Sequence, residues 1–152
     1  MPNKLKAFAA IVAANPKNSQ CTDATIPISA LFMNGTGDDI LPYGGGPMDG
    51  GRGVVFSAQE TIDYWINRNG TDTTPIETDF ADTNTSDNCT VKKYLYKNGT
   101  NNTEVALYEI INGGHAEPSI AQRYSDSFLG TLGNQNSDIE MANEVWNFFK
   151  NK

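Results

Sequence analysis

The sequence contains one histidine, two cysteines and only 11 Lys and Arg residues, and each of these scarcities removes a class of function. A single histidine and the lack of a closely spaced cysteine pair leave no ligand set of the kind that protein-bound zinc needs. Eleven basic residues against 18 acidic ones give a formal charge of −7, so the chain has no broad basic surface for nucleic acid or anionic lipid. We therefore expect no metal, no cofactor, no nucleic-acid partner and no membrane partner.

Long apolar segments are also missing. The longest, Ala7–Ala14, is far shorter than the about 20 residues of a membrane-spanning helix, and it lacks the order of a complete export signal. Only 19% of the 152 residues are charged, and 17 Asn and 14 Thr carry the polarity instead; together with 14 Gly they favour a loop-rich, extracellular kind of protein. We expect one domain spanning residues 1–152, secreted or extracellular, in which Cys21 and Cys89 permit a single disulfide.

The spacing of apolar residues predicts an α/β fold. Phe8–Ala14 and Ile28–Asn34 are short, nearly continuous apolar runs, as in parallel strands that are buried on both faces. Thr90–Lys97 alternates and Glu104–Ile111 is again apolar, which predicts a hairpin or two adjacent strands. The segment Thr71–Thr90 is polar and aperiodic, and we interpret it as a long loop.

Two segments have the periodicity of amphipathic helices, Val54–Asn69 and Ser137–Lys150, the second with Trp146 on its apolar face. Each contains a serine followed three residues later by a glutamate, the spacing of a capping box. The two capping pairs are Ser57 with Glu60 and Ser137 with Glu140. We expect a helix at each segment.

Two candidate site residues follow predicted strands. The only histidine, His115, comes after two glycines at the end of Glu104–Ile111, and Asp38 follows Ile28–Asn34. In an open α/β sheet, residues just past the carboxyl ends of strands line the ligand crevice. Taken singly, a lone histidine is more often structural or merely exposed, and an aspartate in such a loop is more often a turn former or a helix cap.

Together, the two residues have the order of the acid and the base in a Ser-His-Asp triad. A carboxylate that accepts the Nδ1–H of a histidine fixes its tautomer and stabilises the imidazolium that forms when the other ring nitrogen takes the nucleophile's proton. In α/β-hydrolases the chain order is nucleophile, acid, histidine, and Asp38 precedes His115 accordingly. No G-x-S-x-G motif occurs in the sequence, so the nucleophile of such a triad is missing.

Three segments carry a resemblance to a known family. They are Asn34–Gly46 (NGTGDDILPYGGG), a helix that contains Trp65, and Asn112–Pro118 (NGGHAEP). In this order they resemble the C-terminal half of the polyhydroxybutyrate depolymerase and feruloyl esterase-like branch of the α/β-hydrolases, and the resemblance covers nearly the whole chain. It implies that Asp38 is the triad acid and His115 the triad base.

Three positions depart from the family pattern. Asn34 replaces the usual His before Gly-Thr, Asn112 replaces the first Gly of the histidine motif, and Glu117 stands where Trp is common. These departures bear on substrate preference.

The resemblance also implies the fold of a truncated α/β-hydrolase with a mostly parallel sheet. Phe8–Ala14, Ile28–Asn34 and Glu104–Ile111 would be its last three strands, and the oxyanion-hole residues and the serine would precede Met1. The edge of Phe8–Ala14 would then lack a neighbour, which exposes unpaired backbone groups. We therefore expect a homodimer or a complex with a complementing N-terminal half.

The resulting prediction is an esterase-like or depolymerase-like fragment of a carboxylic ester hydrolase. Its substrate would be a hydroxyalkanoate or a polysaccharide-linked ester, and its activity would be weak or absent without a serine-bearing partner segment. The alternatives are a non-catalytic binding or interaction module on the same scaffold, and a small acidic secreted domain unrelated to hydrolases. The distance between Asp38 and His115 separates the last alternative from the other two.

Overall fold

The computed structural model describes residues 4–19 and 26–152 of the chain. The strands are β1 (Ala7–Ile11), β2 (Ser29–Gly35), β3 (Gly46–Pro47), β4 (Val54–Val55), β5 (Ile76–Asp79), β6 (Thr90–Tyr96) and β7 (Val105–Ile111). The helices are α1 (Ala58–Asn69), α2 (Asp126–Leu132) and α3 (Met141–Phe149). None of the described helices is long and apolar enough to cross a lipid bilayer.

In the described part of the chain, five strands form one sheet in the order β1-β2-β7-β6-β5, and β3 pairs separately with β4. β1, β2 and β7 are parallel, whereas β6 and β5 extend the sheet in antiparallel fashion. Residues 97–104 connect β6 to β7, which is fewer than the dozen or more that a crossover between parallel strands needs. The α/β class is confirmed, and the described sheet is mixed, with parallel pairing limited to three strands.

Helices cover both faces of the sheet, which explains why β2 is apolar along its length. Successive β2 side chains point to opposite faces. Leu31 belongs to the cluster that contains Phe148 of α3, and Phe32 belongs to the cluster that contains Ile62 of α1. Every residue of β2 is buried as a result.

Helix α1 confirms the predicted capping box. The Ser57 hydroxyl accepts the N–H of Glu60 at 3.0 Å, and the Glu60 carboxylate accepts the N–H of Ser57 at 2.8 Å. The helix ends at Gly70, whose φ of 64° is the left-handed conformation that glycine adopts readily. The predicted start at Val54 is wrong, because Val54–Val55 pairs with Gly46–Pro47 before the cap.

Helix α3 begins at Met141, four residues later than the prediction from Ser137. The N–H and the hydroxyl of Ser137 both donate to the Asp87 carboxylate, at 2.9 and 2.8 Å, so this serine does not cap the helix. Glu140 accepts hydrogen bonds from the 119–121 segment instead of from a capping serine. Trp146, expected on the apolar face, is 66% exposed.

The segment predicted as a long loop contains β5, and its remainder is held against the start of the α3 region. The Asp138 carboxylate accepts the N–H groups of Thr83 and Asn84, at 2.7 and 3.2 Å. Cys89 is buried, and burial together with nearby carboxylates raises the pKa of its thiol to about 12. Its predicted partner, Cys21, lies outside the described residues.

Candidate functional site

Asp38 and His115 lie in hydrogen-bond contact. The distance between His115 Nδ1 and Asp38 Oδ2 is 2.8 Å, although 77 residues separate the two along the chain. Asp38 follows β2 and His115 follows β7, and these strands are parallel neighbours, so their carboxyl ends meet at one rim of the sheet. The structure therefore brings together both residues that the sequence singled out.

The Asp38 carboxylate is fixed by its own loop. Its Oδ1 accepts the N–H of Ile40 at 2.9 Å and the N–H of Leu41 at 2.7 Å, and its side chain is only 1% exposed. Aspartate often closes a turn in this way by accepting backbone N–H groups two and three residues ahead. Because Oδ1 is used within the loop, Oδ2 is left to face His115.

The orientation of the imidazole follows from the chemistry of its partner. An ionised carboxylate only accepts hydrogen bonds, so Nδ1 of His115 carries a proton and donates a hydrogen bond to Asp38. The lone pair of the neutral ring then lies on Nε2. The side chain is 25% exposed, which leaves the ring accessible from solvent.

The backbone around His115 is held by the segment that contains α2. His115 N–H donates to the carbonyl of Leu132 at 2.6 Å, and Gly114 N–H donates to the carbonyl of Asn134 at 2.8 Å. A Cβ atom on Gly114 would lie 2.1 Å from the Leu132 oxygen, a distance that a real side chain does not tolerate. Glycine is therefore required at this position for the two backbones to approach.

The loops after β2 and β7 also bind each other directly. Gly37 N–H donates to the Gly113 carbonyl at 2.9 Å, and Asn112 N–H donates to the Thr36 hydroxyl at 2.8 Å. A Cβ atom on Gly35 would lie 2.2 Å from the same Gly113 oxygen. These contacts fix the relative position of the loops that carry Asp38 and His115.

The three positions that depart from the family pattern are all hydrogen-bonded near the rim. Asn34 Nδ2 donates to the carbonyl of Ala13 at 3.2 Å and so ties β2 to the segment after β1. Asn112 Nδ2 donates to a carbonyl of the β5–β6 connection, and Glu117 accepts the hydroxyl of Tyr124 at 2.6 Å. Each of these three residues thus has a local structural partner.

Sequence reasoning missed the carboxylate of Glu109 on β7. It accepts the hydroxyl of Tyr94 at 2.9 Å and also interacts with Tyr43, which belongs to the loop that begins at Asp38. Burial raises the pKa of Tyr43, and the negative charge of Glu109 raises it further. The available signal was a charged residue inside an otherwise apolar strand, which requires a polar partner when the strand is covered.

Six serine hydroxyls of the described chain are engaged by groups other than His115. They are those of Ser29, Ser57, Ser86, Ser119, Ser125 and Ser137. Their partners are backbone N–H groups and side chains that cap helices or connect loops. These six residues serve the fold, which agrees with the missing G-x-S-x-G motif.

Neither family models nor curated proteins give a match for this chain. The geometry of the rim is consequently the basis for assigning chemistry to it.

Proposed function

We propose that this chain supplies the acid and the base of a serine-type carboxylic ester hydrolase, on the C-terminal part of an α/β-hydrolase fold. The observation that supports the proposal is the 2.8 Å contact between His115 Nδ1 and Asp38 Oδ2 at the carboxyl ends of two adjacent parallel strands. The chain order of acid before histidine agrees with that class of enzyme.

In this proposal the nucleophilic serine comes from a complementing segment. Its Oγ attacks the ester carbonyl while His115 Nε2 accepts the hydroxyl proton, and Asp38 stabilises the imidazolium that forms. The tetrahedral intermediate expels the alcohol, which takes the proton from Nε2, and an acyl-enzyme remains. Water activated by Nε2 then releases the acid, and backbone N–H groups of the complementing segment hold the oxyanion in both halves of the reaction.

The way in which Asp38 is held suits the role of His115 as the base. A base that must take and return a proton works best when its ring cannot rotate away, and a buried carboxylate held by two N–H groups gives the ring one orientation. We propose an ester of a hydroxyalkanoate or an ester linked to a polysaccharide as the substrate, and an extracellular site of action. Without a serine, His115 activates water only, and hydrolysis by the chain alone is weak.

The test is hydrolysis of p-nitrophenyl butyrate by this chain combined with the complementing, serine-bearing segment. We expect turnover in the combination, its loss with His115→Ala, and a decrease of about four orders of magnitude with Asp38→Asn, because the wrong tautomer is then favoured. Asp39→Asn is the matched control, since Asp39 is the adjacent carboxylate and is exposed to solvent.

Two results would contradict the proposal. Full turnover by His115→Ala would remove this residue from the chemistry. A stable combination that binds the ester without hydrolysing it would favour a binding module on the same scaffold.

A further inference from the structure

We propose that two copies of this chain pair through the free edge of β1, antiparallel and centred on Ala9, to form a dimer with one continuous sheet. The inference concerns the edge of the sheet in the chain by itself and does not rest on the chemistry proposed for Asp38 and His115; a complementing segment that pairs with β1 would displace the second copy. It would hold equally for a binding module with the same fold.

Among the described residues, β1 has a strand neighbour on one side only, β2. Lys6 accepts the N–H of Ser29 through its carbonyl at 3.3 Å, and Val12 donates its N–H to the Met33 carbonyl at 2.8 Å. The backbone groups of successive strand residues point to alternate sides, so the even-numbered residues of β1 face β2. The N–H and C=O groups of Ala7, Ala9 and Ile11 therefore point away from the sheet.

The sequence of β1 has none of the features that oppose pairing with another strand. Its five residues, AFAAI, include no charge and no proline, the devices by which natural edge strands avoid association. The opposite edge, β5, has Glu77 and Asp79, and all four of its residues are exposed. One edge of this sheet is thus protected by charge and the other is not.

Further apolar surface lies beside β1. Leu5, which comes just before the strand, is 59% exposed, and Trp146 on α3 is 66% exposed. Helix α3, which carries Trp146, contacts β1. Leu5 and the helix that carries Trp146 thus adjoin β1, and a strand edge without a neighbour is the part of a sheet that most readily pairs with another chain.

A second copy fits this edge because the strand is complementary to itself. With Ala9 opposite its own counterpart, Ala7 lies opposite Ile11 and Phe8 lies opposite Ala10, so each larger side chain meets an alanine. In that register every outward N–H meets an outward carbonyl of the other copy. The absence of charge in β1 means that two chains of net charge −7 bring no like charges together at the centre of the contact.

The first test uses the wild-type chain. Sedimentation velocity over a concentration series should show a monomer–dimer equilibrium, and hydrogen exchange of the Ala7, Ala9 and Ile11 amides should slow as the dimer forms. The outward amides of β5, such as that of Asp79, should exchange equally fast at all concentrations. A chain that stays monomeric at the highest concentration, because the edge is reserved for another polypeptide, overturns the proposal, and so does a dimer in which the three β1 amides remain unprotected.

The second test is Ala9→Pro. Proline removes one outward N–H but none of the hydrogen bonds to β2, and we expect the dimer dissociation constant to rise by about tenfold or more, since each copy loses a donor. Asp79→Pro is the matched control, because it makes the same change on the outward side of β5. Equal dissociation constants for Ala9→Pro and wild type, with an unchanged circular dichroism spectrum, overturn the proposal; if Ala9→Pro does not fold, the exchange data on the wild-type chain decide.

Discussion

The parallel and antiparallel parts of the sheet differ in what surrounds them and in what they carry. β2 and β7, in the parallel part, lie between α1 and α3 and hold the loops with Asp38 and His115 at their carboxyl ends. β5, at the far end of the antiparallel part, is exposed along its length and acidic. The comparison teaches that the candidate site lies where burial is deepest, because a fixed hydrogen bond between two distant loops requires rigid strands beneath it.

The largest expected difference between the two parts is in stability. Leu31→Ala on β2 should lower the free energy of unfolding by about 3 kcal/mol, since it opens a cavity in a fully buried cluster. Leu95→Ala on β6 makes the same chemical change at a half-buried position, and we expect a loss of about 1 kcal/mol. Urea unfolding followed by circular dichroism measures both, and equal losses would contradict the comparison.

A second prediction distinguishes a structural change at the rim, near His115, from a structural change elsewhere in the sheet. Gly114→Ala forces the backbone of Leu132 away from His115, and we expect a loss of about 2 kcal/mol together with loss of the hydrogen-bonded Nδ1 proton signal of His115. Because the chain has one histidine, this proton nuclear magnetic resonance signal has a single source.

Gly99→Ala is its control in the turn between β6 and β7. A Cβ atom there would lie 2.4 Å from the Thr103 hydroxyl, so this variant should also be destabilised. Its His115 signal should persist, however, because the turn lies at the opposite end of β7 from His115. Loss of the signal in both variants would show that the rim does not depend on local contacts.

The smallest expected change in stability concerns the segment that joins β5 and β6. Burial alone would raise the pKa of Asp138, but hydrogen bonds from Asn136, Thr83 and Asn84 outweigh it and hold that pKa below its usual range. A lowered pKa in the folded state stabilises the fold above the pKa of the unfolded state, about 3.9, and this contribution is lost as the pH falls through the folded-state value.

Asp138→Asn should therefore cost about 1 kcal/mol at pH 7, a modest amount because the carboxylate is partly exposed. The difference from wild type should shrink as the pH falls below about 4. Asp82→Asn, at an exposed carboxylate of the same segment, should change little. Urea midpoints measured across this pH range test the prediction, and a difference that is constant with pH would exclude Asp138 as its source.

Local sequence signals predicted those features whose causes are local. The apolar runs predicted the strands β1, β2 and β7, although β1 is only half-buried where the prediction was a strand covered on both faces. Ser57 with Glu60 predicted the start of α1, because both capping partners lie within one turn. The same spacing failed at Ser137 and Glu140. There, Asp87 and the 119–121 segment compete for the capping groups, and neither is a neighbour in sequence.

The features that the sequence did not predict also depend on contacts with residues that are distant in the chain. The charged strand β5 has no apolar pattern, and it forms because β6 offers it a hydrogen-bonding edge and Lys92 pairs with its Glu77 at 2.9 Å. Helix α2 has no buried residue, so amphipathic periodicity could not reveal it. The exposed position of Trp146 likewise depends on which face of α3 meets the sheet.

By itself, the sequence determined the α/β class, the principal strands, the capping of α1 and the two residues that merit attention, because residue type and spacing within a few positions are sufficient for each of these. Only the tertiary structure decided that the Asp38 carboxylate and the His115 ring meet and that β5 and α2 exist. Those features arise from contacts between segments that lie tens of residues apart, and a pattern confined to one segment does not specify its distant partner.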